Sequence, residues 1–133
     1  MKNHLLCISL LFPVFHALSQ ERYLEPITDA VAKETHTYIV KEGQNLDLDI
    51  FMPAVDSEHQ RAVLVFVHGG GFQGGRRDSR QNVDFCNQLA QYGYVVASIS
   101  YRLTRKDKKG GFGCQCPASE KMKTFRAAVE DLE

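Results

Sequence analysis

The sequence has no excess of charge of either sign and no strong compositional bias. Its 133 residues include 16 Lys and Arg against 16 Asp and Glu, so the formal net charge is zero. Proteins dedicated to binding nucleic acid are usually distinctly basic, and this balance argues against that class. Apolar residues make up 44% of the chain and charged residues 24%, which excludes collagen-like, low-complexity and strongly disordered proteins. The length accommodates one domain at most.

The sequence also lacks an apolar run long enough to span a membrane comfortably. The N-terminal run, residues 5–15, follows one basic residue, Lys2, and leads to the small-x-small triplet Ala17-Leu18-Ser19. This three-part arrangement is typical of a signal peptide, and Pro13 would interrupt the alternative, a buried N-terminal helix. We therefore predict that residues 1–19 are a signal peptide. The protein would be exported, either to the periplasm or out of the cell, and would keep no stable membrane span after cleavage.

Beyond the signal peptide the sequence predicts several strands, and it contains no internal repeat. Residues 20–34 are polar without a clear period and are taken as an N-terminal lead-in. Residues 35–40 and 46–51 are predicted to form a hairpin, because the second segment has the two-residue period of a half-exposed strand. Two apolar runs, residues 62–67 and 94–100, are typical of strands buried in a parallel sheet.

Two predicted helices complete the pattern. The first begins near Ser79, ends at Gly93 and places four residues on one face: Val83, Cys86, Leu89 and Ala90. The second begins at Ser119 and carries an apolar stripe of Met122, Phe125, Val129 and Leu132. Two buried strands joined through a helix indicate a βαβ unit. The predicted fold class is therefore α/β, with an antiparallel hairpin leading into a parallel sheet with flanking helices.

A glycine-rich segment after the third predicted strand, residues 68–75, is the most informative part of the sequence, with five glycines in residues 69–75. A dinucleotide-binding fingerprint fits formally, but Arg76-Arg77-Asp78 separates the glycines from the helix, and no acid follows the next strand to hold a ribose. A phosphate-binding P-loop is excluded because the glycines are not followed by Lys and Ser or Thr. Two interpretations remain: a structural turn, and an oxyanion hole in which bare backbone N–H groups stabilise negative charge.

The pentapeptide His68-Gly69-Gly70-Gly71-Phe72 resembles the HGGG motif of α/β-hydrolase esterases and lipases. The similarity extends through Gly93-Tyr94-Val95-Val96 and Tyr101-Arg102-Leu103. It covers about residues 35–133, which would form a partial α/β-hydrolase domain. The resemblance implies that two glycines, Gly70 and Gly71, donate the oxyanion N–H groups. It further implies that the rest of the motif supports the loop without being catalytic, namely His68, Gly69 and Phe72.

No serine in the sequence is flanked by glycines in the G-x-S-x-G pattern that carries the nucleophile of this family. The nucleophile, acid and base of a triad are therefore expected to lie outside these 133 residues. We interpret the chain as the N-terminal portion of an exported serine carboxylic-ester hydrolase, truncated before the nucleophile strand and inactive by itself.

The resemblance implies a small-molecule or carbohydrate-linked ester as substrate, with acetyl-xylan and feruloyl esterases fitting as well as lipases, and it implies no cofactor. Two alternatives stay open. One is a secreted serine peptidase of the same fold, and the other is a non-catalytic binding module that keeps the scaffold.

The cysteines and basic residues near the C-terminus leave further alternatives. Cys114 and Cys116 lack a partner pair at metal-ligand spacing, so we predict no metal site. In an oxidising compartment the two could form a disulfide or remain thiols. Residues 102–109 include five basic residues, which we interpret as a solvated loop rather than as a contact for an anionic substrate.

Overall fold

The structure, a computed structural model, describes residues 22–110 and 116–133. The predicted signal peptide and Cys114 lie outside these ranges. The described elements are the strands β1 (Val31–Lys41), β2 (Gln44–Pro53), β3 (Val63–Val67) and β4 (Val95–Ile99), and the helices α1 (Arg80–Gln91) and α2 (Ala118–Glu130). Within the described residues, neither helix is both long enough and apolar enough to cross a membrane.

The four strands form one mixed sheet in the order β1-β2-β4-β3. β1 and β2 pair antiparallel, β2 and β4 pair antiparallel, and β3 and β4 pair parallel with α1 between them in the chain. The predicted α/β fold class, the hairpin and the βαβ unit are therefore confirmed. This arrangement places the ends of β3 and β4 side by side, so the glycine-rich loop and Tyr101 follow neighbouring strands.

The first strand starts earlier than the sequence pattern predicts. β1 begins at Val31, four residues before the predicted start at Thr35, and the last residues of the predicted lead-in therefore belong to the sheet. Residues 31–34 pair with residues 50–53 of β2. Cross-strand pairing decides this boundary, because residues 31–34 carry no two-residue period of their own.

Helix α1 covers one face of the sheet, as its apolar face predicts. Cys86 and Ala90 are completely buried against Phe51 and Val96, and partly buried side chains surround this cluster, among them Leu64, Phe66, Val83 and Leu89. Burial raises the pKa of the Cys86 thiol, as expected for a thiol in an apolar environment. This small core holds the βαβ unit together.

The buried face also contains a carboxylate, Asp49 of β2, which is fully inaccessible to solvent. Its Oδ1 accepts a hydrogen bond of 2.7 Å from Thr35 Oγ1, and its Oδ2 lies 3.0 Å from Lys33 Nζ. Arg77 Nε lies 3.3 Å from Oδ1. Burial alone would raise the pKa of Asp49, but these hydrogen bonds and the Arg77 charge outweigh burial and lower it. Asp49 thus ties the residues that precede α1 to the sheet.

The opposite face of the sheet is open at β3, contrary to the prediction of a strand buried on both faces. Val63, Val65 and Val67 are 64%, 60% and 46% exposed. β3 lies at the edge of the described sheet, and α1 covers the other face. The predicted apolar stripe near α2 is also exposed, at 46–61% for its four members, Met122, Phe125, Val129 and Leu132.

Helix α2 is attached to the end of β4 by Arg102. The Arg102 Nε lies 2.7 Å from Asp131 Oδ1, and the Arg102 backbone N–H donates to Asp131 Oδ2 at 2.8 Å. The Arg102 Nη2 donates to the Ala127 carbonyl at 3.2 Å. Asp131 is only 1% exposed, so this ion pair is shielded from solvent and salt. Arg102 therefore positions the end of α2 beside the loop that follows β3.

Candidate functional site

The glycine-rich loop turns sharply at the end of β3. Gly70, Gly71 and Phe72 have φ angles of +133°, +61° and +60°, the last being rare for a residue with a side chain. The N–H groups of Gln73 and Gly74 both donate to the Gly70 carbonyl, at 3.1 and 3.2 Å. A Cβ built on Gly70 would lie 2.1 Å from the Gly74 carbonyl oxygen, so only glycine fits there. The tight turn thus depends on this residue type.

The two predicted oxyanion donors have free N–H groups in this turn. Within residues 22–110 and 116–133, the amides of Gly70 and Gly71 donate to no backbone carbonyl. Both residues line a pocket of about 180 Å³, whose other lining residues are Val67, His68, Gly69, Phe72, Tyr101, Ala128 and Leu132. Unpaired N–H groups beside a mostly apolar pocket are suited to binding an anionic oxygen, because charge interactions are strong where water is scarce.

His68 is buried at the start of the loop and forms part of the pocket wall. It is 5% exposed, and its Nδ1 lies 2.8 Å from the Gly69 carbonyl oxygen. Its ring stacks on the ring of Tyr101 with centroids 4.6 Å apart, and the Tyr101 hydroxyl donates to the His68 carbonyl at 2.8 Å. These contacts place His68 where it can support the loop, and its non-catalytic role stays a prediction. The same packing shows that Tyr101 also supports the loop, a contact that the sequence similarity at Tyr101-Arg102-Leu103 did not indicate.

Phe72 is held on two sides. Its ring lies edge-on to the rings of Tyr101 and Phe125, at centroid distances of 5.8 and 5.7 Å. Its carbonyl accepts a hydrogen bond of 2.9 Å from the Arg105 N–H. Gln73, the next residue, donates from Nε2 to the carbonyls of Lys108 and Gly110 at 2.8 and 2.9 Å. The loop after β3 is therefore fastened to the loop after β4.

The prediction of a solvated basic loop is wrong for Arg105, which is buried. Lys106, Lys108 and Lys109 are exposed, but Arg105 is only 3% exposed. Its Nη1 lies 2.8 Å from Glu120 Oε2 of α2 and 3.2 Å from Cys116 Sγ. The ionic partner comes from another secondary-structure element, so the local charge pattern could not distinguish Arg105 from its neighbours.

The two cysteines that the structure describes, Cys86 and Cys116, are buried thiols. Cys114 lies outside the described residues, so the disulfide between Cys114 and Cys116 stays a prediction. Within the described ranges, no three His, Cys, Asp or Glu side chains are grouped closely enough to hold a metal ion.

Several known proteins are similar to this chain. The model of the BD-FAE family matches residues 48–112, which include the glycine-rich loop. A brefeldin A esterase, which is a bacterial homologue of human hormone-sensitive lipase, is 28% identical with a TM-score of 0.56; the match covers 82% of this chain and 27% of that one. A bacterial heroin esterase is 27% identical with a TM-score of 0.50, over 62% of this chain and 26% of that one.

A similarity in sequence extends to a much longer protein. The chain is 38% identical over 82 residues to the non-reducing polyketide synthase trt4 of Aspergillus terreus, a match over 59% of this chain and 3% of the synthase. The chain thus spans about a quarter of the length of the two solved esterases, and a far smaller share of the synthase.

Proposed function

Because the chain shares the α/β-hydrolase fold and a sequence similarity with esterases, we propose that it belongs to the esterase and lipase family and is the N-terminal portion of an exported serine carboxylic-ester hydrolase. One observation carries the proposal: among residues 22–110 and 116–133, the N–H groups of Gly70 and Gly71 have no backbone partner, and they lie at the wall of an apolar pocket. The proposed substrate is a small-molecule or carbohydrate-linked ester. The esterases similar to this chain support that choice.

The proposed reaction is acyl transfer in two steps. A serine hydroxyl from the remaining part of the domain attacks the ester carbon, and a histidine takes its proton and passes it to the departing alcohol. Water then hydrolyses the acyl-enzyme by the same route. In both steps the former carbonyl oxygen becomes negative, and the N–H groups of Gly70 and Gly71 would stabilise it. A donor of this kind contributes roughly 3 kcal/mol to transition-state stabilisation in other enzymes.

The shape of the loop favours this use because it is set before substrate binds. The turn at Gly70 is closed by two hydrogen bonds, and Tyr101 and Arg105 hold the residues on either side of the glycine pair. Preorganised donors need not reorient when charge develops, which is the source of their catalytic advantage. A structural turn without such a role would not require free N–H groups beside a pocket.

The experiment is to sequence the gene beyond codon 133 and to assay the full-length protein. We expect a G-x-S-x-G segment in the continuation and turnover of p-nitrophenyl acetate that disappears when its serine is replaced by alanine. Cleavage of a peptide p-nitroanilide in preference to the ester would favour the peptidase. A continuation in which another residue replaces the serine, with a folded but inactive product, would favour the binding module.

We further propose that export removes residues 1–19. N-terminal sequencing of the mature protein should begin at Gln20, because signal peptidase requires small residues at the positions of Ala17 and Ser19. The variant Ala17→Arg should retain its leader, while Lys2→Arg, which keeps the basic residue, should be processed normally. Soluble cytoplasmic protein that begins with Met1 would contradict export.

A further inference from the structure

We propose that Arg105 is a positioning residue for the oxyanion loop, an inference that rests on the proposed esterase function. Its backbone N–H donates to the Phe72 carbonyl at 2.9 Å, directly after the two glycines that supply the oxyanion donors. Arg105 does not line the pocket, so it would act through Phe72 rather than on the substrate.

The side chain of Arg105 anchors this contact to α2. Its guanidinium forms an ion pair with Glu120 at 2.8 Å, and its Nη2 donates to the Gly110 carbonyl at 3.3 Å. The hydrogen bond from Arg105 lowers the pKa of Glu120, which keeps that carboxylate ionised. With Arg105 only 3% exposed, the guanidinium can hardly leave its place without losing these partners. The backbone of residue 105 is therefore held at a set distance from α2.

The conformation of Phe72 explains why this anchor would matter. Phe72 has φ +60°, which L side chains rarely adopt and which persists only where neighbours hold it. If the hydrogen bond to its carbonyl were lost, Phe72 could relax to a negative φ. That rotation reorients the peptide unit between Gly71 and Phe72, and because this unit joins Gly71 to the anchored Phe72, Gly71 and its N–H would shift from the oxyanion position. An error of this kind reduces transition-state binding more than ground-state binding.

The residue type at position 105 supports the same conclusion. A guanidinium has five donors in a planar fork and can contact Glu120, Cys116 and the Gly110 carbonyl at once. A lysine ammonium would keep the charge, but it is a compact group that could satisfy only part of this set. Lysine should therefore rescue the function of Arg105 in part, and an uncharged residue should not.

The test compares Arg105→Met, Arg105→Lys and the control Lys106→Met in the full-length protein. We expect kcat for p-nitrophenyl acetate to fall about 10-fold or more in Arg105→Met with KM within a factor of about three, and to fall less in Arg105→Lys. Lys106 is exposed on the same loop, and its variant should match the unmodified protein. A folded Arg105→Met variant with unchanged kcat would overturn the proposal.

A second measurement separates this inference from the proposed function. Amide hydrogen exchange at Gln73 and Gly74, which donate to the Gly70 carbonyl, should quicken in Arg105→Met and not in Lys106→Met. This measurement does not depend on enzyme activity. A full-length protein that hydrolyses no ester would refute the esterase proposal, and amide hydrogen exchange would still test the role of Arg105. If Arg105→Met does not fold, Glu120→Gln removes only the anchoring charge and should show the same changes to a smaller extent. Unchanged exchange in these variants would refute positioning.

Discussion

Replacing Gly71 by alanine in the full-length protein should lower kcat by about 10- to 100-fold and change KM little. Gly71 has φ +61°, where an alanine costs about 1–2 kcal/mol and favours relaxation toward negative φ. That relaxation would move the N–H group that we assign to the oxyanion. The loss should appear in kcat because the contact strengthens only as negative charge develops on the oxygen.

The choice of variant follows from the geometry of the turn. Gly70→Ala would place a Cβ 2.1 Å from the Gly74 carbonyl oxygen and would disrupt the loop itself, so its effect could not be assigned to one N–H group. Gly74→Ala is the matched control, because a Cβ there meets no atom within 4 Å and its φ is not positive. Steady-state kinetics of the two variants would show whether the Gly71 N–H contributes to kcat, and their melting temperatures would show whether both variants are folded. A folded Gly71→Ala enzyme with normal kcat would refute the assignment.

Expressed alone, residues 20–133 should hydrolyse no ester and should self-associate. The first expectation follows because an oxyanion hole stabilises a charge that only a nucleophile generates. The second follows from β3, the edge strand of the described sheet. The Ala62 carbonyl accepts a hydrogen bond from the Val95 N–H, so the alternate residues Val63, Val65 and Val67 direct their backbone groups toward the open edge. Their side chains are exposed, and no charge or proline interrupts them.

Light scattering on a size-exclusion column and a p-nitrophenyl acetate assay test these expectations. Val65→Lys places a charge at the centre of the edge strand, where Val65 is 60% exposed, and should raise the monomer fraction severalfold without disturbing the buried core. Arg80→Lys, at an exposed site away from β3, should leave association unchanged. A monodisperse, cooperatively melting monomer of the unmodified fragment would contradict the predicted self-association. Turnover above that of a Gly71→Ala fragment would contradict the predicted inactivity.

Local patterns in the sequence were enough to predict most of the architecture. The two-residue period of residues 46–51 indicated a hairpin strand. The apolar face that contains Cys86 and Ala90 indicated which side of α1 packs against the sheet. The glycine-rich segment after β3 indicated the place of the candidate site, and its resemblance to the HGGG motif pointed to Gly70 and Gly71 as the donors that we propose. These features depend on residues close together in the chain, whose side chains share a face or a turn by simple geometry.

Contacts between distant segments could not be read in the same way. The burial of Asp49 depends on Thr35, Lys33 and Arg77, which lie at least 14 residues away in the sequence. Arg105 differs from the exposed lysines around it because Glu120 and Cys116 contact its guanidinium. The requirement for glycine at position 70 is another example. It arises because the Gly74 carbonyl folds back over Gly70.

The sequence by itself determined the α/β class, the βαβ unit and the position of the glycine-rich loop, because each follows from periodicity or from residues adjacent in the chain. Only the tertiary structure decided the start of β1, the burial of Arg105, the support of the loop by Tyr101 and the exposure of the outer face of β3. Each of these features depends on which residues, distant in the sequence, become neighbours in the folded chain. Burial and pairing energies arise from such neighbours, and a pattern along one segment does not contain them.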